Sequence, residues 1–185
     1  MRSEPSNTLR RRAAFAVDWM VLMLWGGSLF TVVWLATGGD VSRSASPWKT
    51  QLVGLLLMTV PFTLYFAISE SGRWRASLGK RVCGIVVARE TGEALSFRAA
   101  LVRNAIKFIP WELGHTVAHQ AACSGERGLE PWTWCFAVVA FACPLWWVVA
   151  IFRTGRAPYD RWSGARVSRA RRDEDSSTDL RQPRN

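Results

Sequence analysis

Charge is missing from long stretches of this chain. Residues 51–69 and 131–152 contain no Asp, Glu, Lys or Arg, and residues 13–36 contain only Asp18. A helix crosses the hydrocarbon core of a bilayer with about 20 apolar residues, so each run is long enough to span. That pattern excludes an ordinary water-soluble domain and defines an integral membrane protein. Lysine is scarce as well: it occurs only at Lys49, Lys80 and Lys107, and every other basic residue is arginine. The bias points to a GC-rich bacterial genome.

Chemistry-bearing motifs are also lacking. The four cysteines, Cys83, Cys123, Cys135 and Cys143, have neither metal-type spacing nor a disulfide framework. There is no nucleophile elbow and no cofactor fingerprint, so neither an enzyme nor a bound cofactor is expected. Gly79-Lys80-Arg81 superficially suggests a phosphate loop. However, Gly72 lies too far upstream and Arg81 stands where Ser or Thr is required.

What the chain does have is a large excess of positive charge. It carries a net charge of +10 over 185 residues. The excess sits beside the apolar runs: Arg10, Arg11 and Arg12 before the first, and Arg153, Arg156, Arg161, Arg166, Arg169, Arg171 and Arg172 after the last. This matches the positive-inside pattern and contact with anionic headgroups, not nucleic-acid binding. Eleven tryptophans, among them Trp34, Trp48 and Trp132 near run ends, suit interfacial belts. The first run exceeds the ~7–15 residues of a signal-peptide core and contains Asp18, so an uncleaved span is expected.

One membrane domain, residues 10–170, is expected between disordered tails at 1–9 and 171–185. The sequence TGGDVSRSASP, residues 37–47, reads as a loop. Within the basic block after the second run, the β-branched residues 82–88 and the turn Glu90-Thr91-Gly92-Glu93 predict a short strand or hairpin. Residues 165–168 are a second short strand candidate, and pairing would require both on one side of the membrane. Arginine-rich segments at both chain ends predict two cytoplasmic termini in a bacterial inner membrane, hence an even number of crossings. Residues 99–122 must then supply a fourth, polar span. Arg103, Asn104 and Lys107 share one of its faces. The alternative is an amphipathic helix lying on the membrane, with three crossings. The expected fold is thus an all-α bundle of four transmembrane helices, about 13–36, 51–69, 99–122 and 131–152, with a small cytoplasmic β element.

Three segments, in order, resemble the RDD family of membrane proteins. RRRAAFAVDWMVL is similar to its first helix, with Arg11 at the base and Asp18 seven residues on. SLGKRVCGIVVARETGEALSFRAALVRNAIKF is similar to its central motif at Gly79, Lys80, Arg81, Gly84, Arg103 and Asn104. APYDRWSGARV resembles its closing motif and places a second aspartate at Asp160, preceded by Tyr159 where the family more usually has His. The resemblance implies a transport-related membrane protein, with monovalent cation or proton exchange suggested for some members and no common substrate.

An ionisable group deep in a span needs a partner or a task. Asp18 lies about 10 Å along the helix from Arg11, too far for a direct bridge, and Arg11 can reach back to the interface. Arg103 and Lys107 are therefore the candidate partners of Asp18, either to fasten helices or to tune an ion or proton path. Asp160 is expected to pair with Lys80 or Arg81, with Glu70 in the same network. Glu112, His115 and His119 fall within about 60° on a helix. They are weak metal candidates and otherwise a polar face packed against neighbouring helices. Pro61 and Pro144 interrupt their spans, as helices in transporters often are interrupted.

The leading function is transport of a small cation or proton, with Asp18 as the titrating or coordinating group. The alternative is a non-transporting subunit or scaffold that binds lipid or a partner protein. A transporter this small is expected to form a homo-oligomer.

Overall fold

The computed structural model describes residues 5–38, 46–124 and 128–170. The tail expectations at 1–4 and 171–185, and most of the loop at 39–45, lie outside the described residues. Helix α1 spans Pro5–Ala36. It therefore takes in residues 5–9, expected as tail. Pro5 is pre-organised for a first helical position, and no proline interrupts the segment that follows, which runs on through Gly26 and Gly27.

The second apolar run forms α2 (Pro47–Gly54), a π-helical turn (Leu55–Thr59) and α3 (Val60–Ser71). Pro61 has no N–H for the Leu57 carbonyl four residues back. Trp25 of α1 donates its indole Nε1–H to that carbonyl at 3.1 Å, so the disturbed turn is tied to the neighbouring helix. A short helix α4 (Leu78–Val82) and strand β1 (Ile85–Arg89) follow. Helix α5 (Phe97–Ser124) covers the polar segment without a break. Helix α6 (Pro131–Thr154) ends at Gly155, whose left-handed backbone (φ 71°) suits a residue without a side chain. Helix α7 (Pro158–Trp162) and strand β2 (Ala165–Arg169) complete the fold.

The chain is mostly helical. Three helices are long and apolar enough to cross a membrane: Leu9–Ala36, Trp48–Ser71 and Pro131–Thr154. Large apolar side chains cover their outsides; Phe141 is 80% exposed, and Leu24, Leu35 and Val138 are also open. An apolar exterior of that extent fits lipid, not water.

Strands β1 and β2 pair antiparallel, with Val87 opposite Val167 and Arg89 opposite Ala165. The strand begins at Ile85, inside the expected 82–88, because residues 78–82 are helical. Since the strands meet, α5 must carry the chain away from the sheet and α6 must bring it back. The tight core sits at this same end, where Ala14, Ala67, Ile85, Val87, Leu95, Ala100, Ala165 and Val167 form one buried cluster. Alanines from α1, α3 and α5 let those helices approach the sheet closely. A second cluster of Leu22, Phe62, Phe66 and Phe108 lies further into the bundle.

Candidate functional site: a buried ion-pair network

Arg103, on the first turns of α5, stands at the centre of the charged end. Its Nη1 donates to Glu70 Oε2 at 2.5 Å, and its Nε donates to Asp160 Oδ1 at 2.8 Å. Nη2 lies 2.7 Å from the same Asp160 oxygen. The guanidinium also faces the Tyr159 ring, 5.3 Å from its centroid. Asn104, the next residue, donates to Glu70 Oε2 at 2.9 Å and to the Ala100 carbonyl at 2.9 Å. Lys80 completes Glu70, with Nζ donating to Oε1 at 2.6 Å. Arg11 completes Asp160 through Nη2 at 2.8 Å, while its Nη1 donates to the Gly155 carbonyl at 2.7 Å. Glu70, Asn104 and Asp160 are fully buried.

Asp18 belongs to the same chain of contacts by a different route. Its Oδ2 accepts from Ser77 Oγ at 2.6 Å and its Oδ1 accepts from the Gly79 N–H at 2.8 Å. Lys80 Nζ lies 3.3 Å from Ser77 Oγ and links the two halves. The expected pairing of Asp18 with Arg103 and Lys107 is thus replaced by a hydroxyl and a backbone N–H. Helix α4 docks directly on α1, and its first turn reaches the carboxylate before any cation of α5 can. Gly79 permits that docking. A Cβ there would lie 2.1 Å from the Ala14 carbonyl oxygen and 2.8 Å from Asp18 Oδ1.

Two further expectations are corrected. Arg11 turns inward to Asp160 and Gly155 instead of acting only as an interfacial anchor, because α7 folds back beneath α1. Asp160 pairs with Arg103 and Arg11, not with Lys80 or Arg81. Lys80 is engaged by Glu70, and exposed Arg81 stacks over Trp74 at 3.8 Å. All six oxygens of Asp18, Glu70 and Asp160 therefore have donors, and the three carboxylates match Arg11, Lys80 and Arg103 in charge. Burial alone would raise the Asp160 pKa, but the guanidinium groups of Arg103 and Arg11 outweigh it and hold the carboxyl below its ordinary value. Burial, then the Asp160 charge, push the Tyr159 phenol up to about 12. A complete network of this kind rigidifies, and removing one member leaves a buried charge without compensation.

Lys107 stands apart. It has no hydrogen bond or ion pair among the described residues, and its ammonium sits over the Phe66 ring at 4.2 Å. The residues Glu112, His115 and His119 lie further along α5, away from the network. Gln51 Nε2 donates to Glu112 Oε2 at 2.7 Å, and Thr59, in the π-helical turn, donates to Oε1. His115 Nδ1 is 3.8 Å from Glu112 Oε1, and the two imidazole centroids are 6.2 Å apart. Among the described residues no group of three His, Cys, Asp or Glu side chains is placed to hold a metal ion.

Several contributors escape a reading by charge alone. Ser77, Gln51 and Thr59 are uncharged; Ser77 opens the SLGKRV motif, but nothing in its residue type points to Asp18. Gly79 lay within a motif of the resemblance, but its role in close approach needed the neighbouring helix to be seen.

Together these features define a helical membrane domain whose first helix, central segment and closing segment are tied by one buried ionic cluster. The chain belongs to the RDD family, whose family model matches residues 5–164. No protein of curated function and no solved structure shows significant similarity to it.

Proposed function

We propose that this RDD-family protein moves a proton or small monovalent cation across the bacterial inner membrane. In this reading it is a bundle of four crossings with both termini cytoplasmic. Pairing of β1 with β2 supports an even number of crossings between them, which makes α5 the polar fourth span. The arginine clusters support the orientation.

The ion-handling acid in this reading is Glu112, not Asp18. Asp18 is committed to Ser77 and Gly79, whereas Glu112 lies halfway along α5 in a row with His115 and His119. Acid and imidazole groups at such depth are characteristic of proton relays. The observation that carries the reading is Gln51. Its Nε2 donates to ionised Glu112, while its Oε1 is buried with no donor. Turning the amide over presents Oε1 to a protonated Glu112, so one side chain can serve both charge states.

In sealed proteoliposomes an imposed pH or sodium gradient should drive flux. Glu112→Gln should abolish that flux with little change in melting temperature. Asp18→Asn should mainly lower the melting temperature. Absence of flux in the parent protein across protons and monovalent cations defeats the proposal. The second reading, a non-transporting subunit or scaffold, is supported by the complete pairing of Asp18, Glu70 and Asp160. It becomes the better account if the parent protein is inert in that assay.

A further inference from the structure

A cavity of about 650 Å³ opens between α1, α5 and α6. Its volume is typical of pockets that enclose a small ligand, and its chemistry is divided along its length. Phe15, Trp19, Trp111, Phe141, Trp147 and Ile151 contribute to largely apolar walls. Phe15, Phe141, Val148 and Phe152 also line it and are exposed on the apolar exterior, so the mouth faces lipid. Towards the charged end the lining turns cationic, with Arg11, Arg12, Lys80 and Arg103, and Lys107 follows one helical turn deeper than Arg103.

These cations are not equivalent. Arg11, Lys80 and Arg103 are engaged by Asp160 and Glu70. Among the described residues, Lys107 and Arg12 have only aromatic faces: Lys107 over Phe66 at 4.2 Å and Arg12 over Phe152 at 4.7 Å. With Asp18, Glu70 and Asp160 already balanced, no acid among the described residues answers Lys107 inside the bundle or Arg12, which is exposed at the base of α1. A cation inside the bundle without a counter-ion, below one at headgroup level, fits an anionic headgroup. The Arg12–Phe152 contact joins α1 to α6 at that end, so an occupant enters from the lipid side.

We propose that the cavity binds one anionic phospholipid, with its phosphate between Lys107 and Arg12 and an acyl chain between α1 and α6. Neither inorganic phosphate nor a neutral lipid satisfies both halves of the site. The proposal is independent of ion flux, and a Glu112→Gln protein should bind the lipid as the parent does.

Native mass spectrometry of the detergent-purified full chain tests it, with phosphatidylglycerol and phosphatidylcholine supplied in equal amounts. The parent protein should retain phosphatidylglycerol preferentially. Lys107→Gln and Arg12→Gln should each weaken that preference about five-fold, while Lys107→Arg preserves it. Ile151→Trp, which fills the apolar half and leaves every charge in place, should remove the retained lipid while the melting temperature stays near the parent value. The proposal is overturned if the parent protein shows no preference for phosphatidylglycerol, or if inorganic phosphate displaces the lipid at equal concentration. It is equally overturned if Lys107→Gln and Arg12→Gln keep the full preference. Should those variants not fold, retention of the lipid by folded Ile151→Trp overturns it.

Discussion

The two halves of this bundle treat ionisable groups in opposite ways. At the charged end, Asp18, Glu70 and Asp160 have donors on every oxygen, and alanines bring the helices and sheet into close contact. Deeper in, Lys107 rests on an aromatic ring, Gln51 leaves one buried oxygen without a donor, and a cavity separates α1 from α6. Charges held in a closed network stabilise one arrangement. Charges or acceptors left open can respond to something that arrives. The contrast places the stabilising contacts at the charged end and leaves in the middle the groups on which the proposed ion and lipid readings rest.

Substitutions can break or sharpen that division. The largest effect is expected from Arg103→Met, which leaves Glu70 and Asp160 buried with one cationic partner each. Loss of one member of a buried ionic group costs about 3–5 kcal/mol, so thermal unfolding in detergent should show a collapse in stability or no folded protein.

Acid should attack the same end. The folded pKa of Asp160 lies below its unfolded value, so its stabilising contribution is full above about pH 4 and is lost as pH falls through the folded pKa. Melting temperature should therefore drop with acidification in the parent protein. Asp160→Asn should start lower and fall less steeply over that window.

Gly79→Ala comes next. Its Cβ meets the Ala14 carbonyl oxygen, and crowding of this kind costs about 1–3 kcal/mol. The separation of α4 from α1 should also raise amide exchange at Gly79, where the N–H now donates to Asp18. Glu112→Gln should be mildest for stability, about 1 kcal/mol by chemical or thermal unfolding, since one hydrogen-bonded arrangement replaces another. A loss comparable to that of Arg103→Met would erase the distinction between the two halves.

The parts legible in the sequence were those written in a single segment. The apolar runs around Ala13–Ala36 and Pro131–Phe152 announced their length directly, and the β-branched residues near Val86 announced a strand. Arg103 and Asn104 could be placed on one helix face by their spacing. Their partners could not, because Glu70 lies 33 residues before Arg103 and Asp160 lies 57 after it. Asp18 misled for a related reason. A lone acid invites a search for a cation, but a backbone N–H and a serine hydroxyl solvate it equally well and leave no charge pattern to find. The cavity was invisible for a third reason: it arises from how α1, α5 and α6 diverge, not from the residues of any one of them.

The order of synthesis gives the clamp a further property. Asp18 can dock with Ser77 and Gly79, and Glu70 can meet Lys80, once the first eighty or so residues have emerged from the ribosome. Arg11 and the second contact of Arg103 must wait for Asp160, which follows every long helix among the described residues. A nascent chain thus holds Arg11 without its carboxylate and Arg103 with Glu70 alone until α7 is made, and its strand β1 lacks its partner until β2 follows. Closure of the final ionic contacts marks completion of the family domain, and a chain truncated before residue 160 cannot mimic it.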